Sequence, residues 1–449
     1  MKDSTVFSKR KSFLKKCCEK SLFFKNLVDE SLFLWYFILV YEHALLHPRK
    51  SMEHDIRSLK IASFSFGGDG VASLPDGRIC FVRGGIPGDE VEPESLSLKK
   101  NFARASIRAI LKKSDHRVPS FCPLREHSPR CPGCVYAETD ADFELQTKQK
   151  QYEDFLTRGR SGPRCRFEPP FPSPDRTGYR RRLSLSCEGG RAGYRADDNR
   201  TLIPVRICPL ARPEINEALA RLEIPSDAKR LRLRFTEKDG TTVFFEREGG
   251  RSPSHEKKLL TEDLGEYGIF MTPPDSFFQV NMPVAKALIS SVLDRIEAKR
   301  PEYMFDLFCG SGFFSAAALR RFPDLCIEGV ELDPAAVRAA RDNAARLAPG
   351  SRAHFLCLDA GKFDPARTDA RPETTLVLLD PPRTGIPRQL TEALKNWGPA
   401  TILYVSCAPD MLRRDIDRLG NGYAVREGRM FDMFPGTAHF ESITLLEKI

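Results

Sequence analysis

Near the C-terminus the segment TILYVSCAPDMLRRD sets Cys407 after an apolar run and just before Pro409. The run from Thr401 to Val405 is rich in β-branched and aromatic residues and reads as a buried strand. PDMLRRDIDRLG then reads as a helix that ends at Gly420. The thiol would stand at the carboxyl end of a strand and the start of a helix, the edge where open α/β sheets bind ligands. The partial positive charge of a helix N-terminus favours a thiolate, so the position suits a nucleophile. A small buried thiol suits the same stretch equally well.

A second group of thiols lies in CPLREHSPRCPGC, where Cys122, Cys131 and Cys134 follow a C-x8-C-x2-C spacing. Close thiolates with Pro and Gly between them can converge on a metal without helical constraint. The fourth ligand is expected to be Cys208, because RICPL repeats the Cys-Pro-Leu of residues 122–124; Cys165 and Cys187 are the competitors. Spacing alone does not separate zinc from an iron–sulfur cluster. The chain has 13 cysteines and no evident secretory signal. A reducing cytoplasm with metal or catalytic thiols is therefore expected rather than disulfides.

A third set of residues lies at successive strand ends. DLFCGSGFFS offers Gly310 and Gly312 for a tight turn, but Ser315 occupies the place of the third glycine of a dinucleotide fingerprint. Glu331 ends EGVEL, where a carboxylate can accept from both ribose hydroxyls. Asp359 ends FLCLD, where an adenine amino group can be read. A short Gly loop, a ribose acid and a third-strand acid together suit S-adenosylmethionine. Asp380, in LLDPPRTG, places a carboxylate and rigid carbonyls over the same edge.

The elements that must position these residues follow from pattern. From about Glu302 the runs YMFDLF, CIEGVEL, AHFLCLD, TTLVLLD and TILYVSC alternate with helical segments, which predicts a doubly wound parallel sheet. Asp333 is the expected N-cap of DPAAVRAARDNAARLA, with Pro334 at its first position. From Ile56 to about Leu111, short strands with Gly-rich turns predict a small β-barrel. Its Arg78, Arg83, Lys99, Lys100, Arg104 and Arg108 suit RNA phosphates, or merely a solvated face. The alternation around RRLSLSC predicts an antiparallel sheet, with Arg180, Arg181 and Arg182 either gripping phosphate or facing solvent.

Of 449 residues, 29% are charged and 41% hydrophobic, which fits a soluble globular protein of two or three domains; the net charge of +9 favours an anionic partner. The early run SLFLWYFILVYEHALL meets Glu42 and His43 too soon to span a bilayer, so no membrane partner is expected. Met52 is the expected true start, with residues 1–51 an apolar extension.

DLFCGSGFF, LLDPPRTG, YVSCAPDMLRRD and the ending DMFPGTAHFESITLLEK, in that order, resemble the RNA uracil-5-methyltransferase family. The Cys-x-x-Cys group with ICPL, and the N-terminal barrel, are similar to the cluster and TRAM domain of its ribosomal branch. The resemblance covers nearly everything after Met52. It implies a TRAM barrel at 52–112, a central α+β domain with the cluster at 113–270, and a Rossmann-like methyltransferase domain at 271–449. It implies Cys407 as nucleophile, Glu441 as base, and Gln279, Phe308, Phe313, Glu331, Asp359 and Asp380 as contacts of S-adenosylmethionine. It assigns Cys122, Cys131, Cys134 and Cys208 to a [4Fe–4S] cluster.

The implied substrate is a uridine of 23S ribosomal RNA, with no DNA or membrane partner, handled by a cytoplasmic monomer. A tRNA uridine methyltransferase and a non-catalytic RNA-binding iron–sulfur protein are the alternatives. The second predicts decay at Cys407, Asp380 or Glu441, and all three are present. Three departures stand out: Phe313 where the family often has Asn, Ala408 where it has Asn, and a longer spacing from Cys122 to Cys131.

Overall fold

Strand–helix alternation after Tyr303 builds the sheet on which the strand-end residues stand. The computed structural model describes residues 56–125, 129–158, 165–247, 250–251 and 259–449. The apolar stretch before Met52, and the start expected there, lie outside the described residues. Ser58–Ile449 form one compact unit.

The C-terminal sheet uses β1 (Tyr303–Leu307), β2 (Cys326–Glu331), β3 (Ala353–Cys357), β4 (Thr375–Leu379), β5 (Thr401–Ser406), β6 (Tyr423–Phe431) and β7 (Glu441–Lys448). Their order is β3-β2-β1-β4-β5-β7-β6, with the short strand Arg166–Phe167 added beside β6. The first five pair in parallel, while β7 runs antiparallel to both neighbours. Every residue of β4 and β5 is buried, the pattern of strands covered on both faces. The covering helices are α1 (Met282–Lys299), α2 (Phe313–Arg321), α3 (Pro334–Leu347), α4 (Arg388–Trp397) and α5 (Pro409–Leu419). The structure is thus a mixed α/β fold built on a largely parallel sheet. Asp333 caps α3 through the Ala335 N–H, with Pro334 opening the helix, and α5 stops at Gly420.

Upstream, Leu59–Lys60 pairs with Glu90–Leu98, and Ser63–Phe64 pairs with Gly70–Ser73, at opposite edges of one six-stranded sheet. A second six-stranded sheet is antiparallel throughout and includes Arg182–Glu188 and Ala228–Thr236. The division expected between residues 270 and 271 falls inside the strand Ile269–Thr272, which pairs with Leu260–Asp263. Tyr152 and Leu156, from the helix Ala141–Thr157, share a core with β1, β4 and β5. Among the described residues, no helix is long and apolar enough to cross a membrane.

Candidate active site

The last pair between β5 and β7 is Ser406 with Ser442. Cys407 and Glu441 adjoin that pair at the end of the ladder, and the Glu441 carboxyl acts electrostatically on the Cys407 thiol. Side-chain hydroxyls fix this corner. Ser442 Oγ donates to the Ser406 carbonyl at 3.1 Å, and Ser406 Oγ accepts the Ala408 N–H at 3.1 Å. Ser406 thus supplies local bonding beside Ala408, which has no side-chain cap of its own.

Burial opposes the lowering of the thiol pKa expected from the helix terminus. Burial, with the Glu441 carboxyl beside it, pushes the half-buried Cys407 thiol up to about 12; Arg383 opposes this and Asp380 adds to it. Glu441 is itself buried and held well above the carboxylate range by that burial and by Asp380, again opposed by Arg383. Burial, then Asp306, raises Asp380 to about 7. His439, two residues before Glu441, is depressed to about 4 by burial and by Arg383, Lys148 and Arg180. The carboxyl end of β5 is therefore poorly solvated, and burial favours the neutral forms of its thiol, acid and imidazole. A cation arriving beside it would lower the thiol and the acid together.

The neighbouring strand ends carry the other candidate residues. Phe308, after β1, has a left-handed backbone with φ of 70°, and its N–H reaches the Val330 carbonyl. Gly312 caps α2 at φ 77°, where a Cβ would press to 3.2 Å on Ala340 of α3. The Glu331 carboxylate accepts the N–H groups of Gly310 at 3.1 Å and Asp333 at 2.8 Å, which aims its remaining lone pairs outward. Asp359 is exposed and commits one oxygen to the Gly361 N–H. Phe313 packs its ring among Phe270, Phe278 and Phe314, so its backbone N–H, in the first turn of α2, is the group it offers. Buried atoms with no partner among the described residues include Gln279 Oε1, Asp306 Oδ1, Ser311 Oγ and Asn281 Oδ1. Such atoms mark a place that a polar ligand completes.

Cys122, Cys131, Cys134 and Cys208 are all buried. Cys122 and Cys134 share a hydrogen bond, and the charge of Cys208 is felt at both Cys131 and Cys134. The shift at Cys187 comes from burial alone, and Cys165 senses Glu427 and Glu153 instead. Among the described residues, however, no group of three or more His, Cys, Asp or Glu side chains is set to hold a metal ion.

The phosphate-gripping alternative fails for two of the three central arginines. Arg181 is buried against Glu237 and Glu262, and Arg182 donates to the carbonyls of Asp275 and Ser276. On the N-terminal sheet, Arg78, Arg83 and Arg108 are paired with Asp76, Asp197 and Glu92, while Lys99, Lys100 and Arg104 are exposed. Sequence reasoning missed Asp306 and His439. A carboxylate inside the apolar run YMFDLF was the available signal for the first; its Oδ2 accepts from Ser315 Oγ at 2.5 Å, the use the chain makes of the serine in the third glycine's place. No spacing signalled His439.

Residues 258–449 match the family model described as tRNA (Uracil-5-)-methyltransferase. Over 447 residues the chain is 30% identical to the 23S rRNA (uracil(1939)-C(5))-methyltransferase RlmD of Methylococcus capsulatus, covering 89% of this chain and 99% of that protein. It is also 30% identical to the corresponding protein of Nitrosospira multiformis, covering 86% of this chain and 98% of the relative. The structure resembles the Pyrococcus abyssi tRNA (uracil-54, C5)-methyltransferase in complex with S-adenosyl-L-homocysteine. The TM-score is 0.67 at 22% identity, covering 87% of this chain and all of that one.

Proposed function

The chain belongs to the RNA uracil-5-methyltransferase family, and from that premise we propose that it methylates C5 of one uridine in 23S ribosomal RNA through a covalent adduct on Cys407. The observation that supports the mechanism is that Cys407, Glu441 and Asp380 act electrostatically on one another beside the end of the β5–β7 ladder. S-adenosylmethionine, when bound, supplies the methyl group and a sulfonium charge. Gln279, Phe308, Phe313, Glu331, Asp359 and Asp380 would hold it, a reading supported by the unpartnered Gln279 Oε1 and by Glu331, whose carboxylate is fixed by the Gly310 and Asp333 N–H groups.

Uracil C5 is too weak a nucleophile to take a methyl group directly. Attack of Cys407, as the thiolate, on C6 forms the S–C6 bond as the C5–C6 π pair moves into an enolate with electron density on C5. C5 then takes the methyl group that the bound sulfonium would supply, the bonding pair staying on the departing sulfur. Glu441 removes the remaining C5 proton, and the electron pair so released expels the thiolate from C6. The uridine must leave its stack to reach the pocket, which a single-stranded loop makes less costly.

In this reading residues 52–112 form a TRAM barrel that grips RNA through exposed Lys99, Lys100 and Arg104. Residues 113–270 carry a [4Fe–4S] cluster on Cys122, Cys131, Cys134 and Cys208, and 271–449 carry the chemistry. The cluster is supported by the burial of the four thiols and by their mutual electrostatic contact. The protein would work as a cytoplasmic monomer, where ribosomal RNA is made. Mass analysis of RNA from a strain lacking the gene tests the substrate: one 5-methyluridine should vanish from 23S ribosomal RNA. Loss from tRNA instead would contradict the assignment.

A further inference from the structure

The loop 432–440 joins β6 to β7 and ends against Glu441, yet residues nearly three hundred positions earlier hold it. Lys148, on the helix Ala141–Thr157, is completely buried. Its Nζ donates to Glu144 Oε1 at 2.6 Å, to Asp432 Oδ1 at 2.8 Å and to the Phe434 carbonyl at 3.2 Å, which uses all three of its N–H groups. Glu144 carries the contact onward, accepting the Gly436 N–H at 2.6 Å and, on its other oxygen, Arg176 at 3.1 Å. Tyr136 N–H donates to the Gly436 carbonyl and Tyr179 Oη to the Pro435 carbonyl. Gly436 sits at φ 79°, and a Cβ there would meet Phe121 at 2.6 Å.

Burial works against the Lys148 ammonium, but Asp432 and Glu144 outweigh it and its pKa is raised. Buried ion pairs are a poor source of net stability, since well-packed apolar residues of similar volume often do as well. What a lysine with three fixed acceptors supplies, and an apolar residue does not, is one defined path for the loop. That path leads within a few residues to His439 and Glu441.

We propose that Lys148 is a positioning residue for removal of the C5 proton: by tying Asp432 and the Phe434 carbonyl to the helix Ala141–Thr157, it sets the path of the loop that leads to the Glu441 carboxyl. The proposal rests on Glu441 being the base.

The test is Lys148→Met beside Lys148→Met/Asp432→Asn, with turnover on RNA and amide exchange both measured. Misplacement of a reacting group by about 1 Å costs on the order of 10²-fold. Lys148→Met should therefore lower kcat by about that factor, leave the KM for S-adenosylmethionine unchanged, and speed amide exchange across residues 433–440. The double variant removes the stranded acid as well, so its denaturation midpoint should return toward wild type while kcat stays low. If kcat recovers with the midpoint, or if Lys148→Met turns over normally, Lys148 serves only the fold and the proposal is overturned. Should Lys148→Met alone fail to fold, the double variant carries the same comparison. Glu441→Gln is assayed separately: normal turnover there refutes the base assignment, while kcat and loop exchange in the Lys148 variants still decide whether the lysine positions the loop.

Discussion

Alkylation of Cys407 in the ligand-free protein measures how far the pocket suppresses its thiolate. With the thiol at about 12, against about 8.5 for a free cysteine, the thiolate fraction at pH 7.5 falls by roughly 10³- to 10⁴-fold. Intrinsic nucleophilicity rises with pKa with a Brønsted slope of about 0.4–0.5, which returns about half of that exponent. Cys407 should therefore react with iodoacetamide about 10²-fold more slowly than N-acetylcysteine, followed at the Cys407 peptide by mass spectrometry. Adding S-adenosylmethionine should speed the reaction, because a sulfonium near the pocket favours the thiolate; S-adenosylhomocysteine, which has no such charge, should not. A ligand-free Cys407 that reacts as fast as N-acetylcysteine would refute the reasoning.

Asp380 gives a pH test. Its folded pKa, raised to about 7 by burial and by Asp306, lies above the unfolded value of about 3.9, so the folded state binds more protons between those values. The resulting penalty is absent below about pH 4, grows as pH rises, and is complete above about pH 7. Asp380→Asn should thus stabilise the ligand-free protein by roughly 2–4 kcal/mol at pH 8 and hardly at all at pH 4, read from urea midpoints; equal effects at both would contradict the burial argument. Asp415, fully buried in α5, accepts the Ile386 N–H at 2.8 Å and the Tyr404 hydroxyl at 2.9 Å, holding the chain after Asp380. Asp415→Ala leaves both donors unmatched and should cost about 2–4 kcal/mol in urea unfolding; a loss below about 1 kcal/mol would show that the loop repacks. Anaerobically purified protein should contain iron and sulfide near four per chain, whereas stoichiometric zinc without iron would rule out the cluster.

Much of the C-terminal sheet was legible because its strands are continuous apolar runs ending in a carboxylate or thiol, the pattern of strands buried on both faces. The Asp333 cap and the stop at Gly420 followed from local chemistry in the same way. Electrostatics were not legible. A helix N-terminus beside Cys407 promised a thiolate, but burial and two nearby carboxyls, which only the fold assembles, outweigh it. Arg181 and Arg182 stood in a run that resembled a phosphate grip, and only tertiary packing spends them on Glu262, Ser276 and neighbouring groups. Lys148 could not be read from spacing at all, since its partner Asp432 lies 284 residues away.

The central claim is that Cys407 and Glu441 act in sequence on one uridine, and a denaturing gel with labelled RNA and S-adenosylmethionine tests it directly. Gln is nearly isosteric with Glu, so Glu441→Gln should fold, transfer the methyl group, and then stall because the C5 proton cannot leave. A slowly migrating protein–RNA band should accumulate, and it should vanish in Cys407→Ala/Glu441→Gln. Normal turnover by Glu441→Gln, or a band that survives loss of Cys407, would contradict the account.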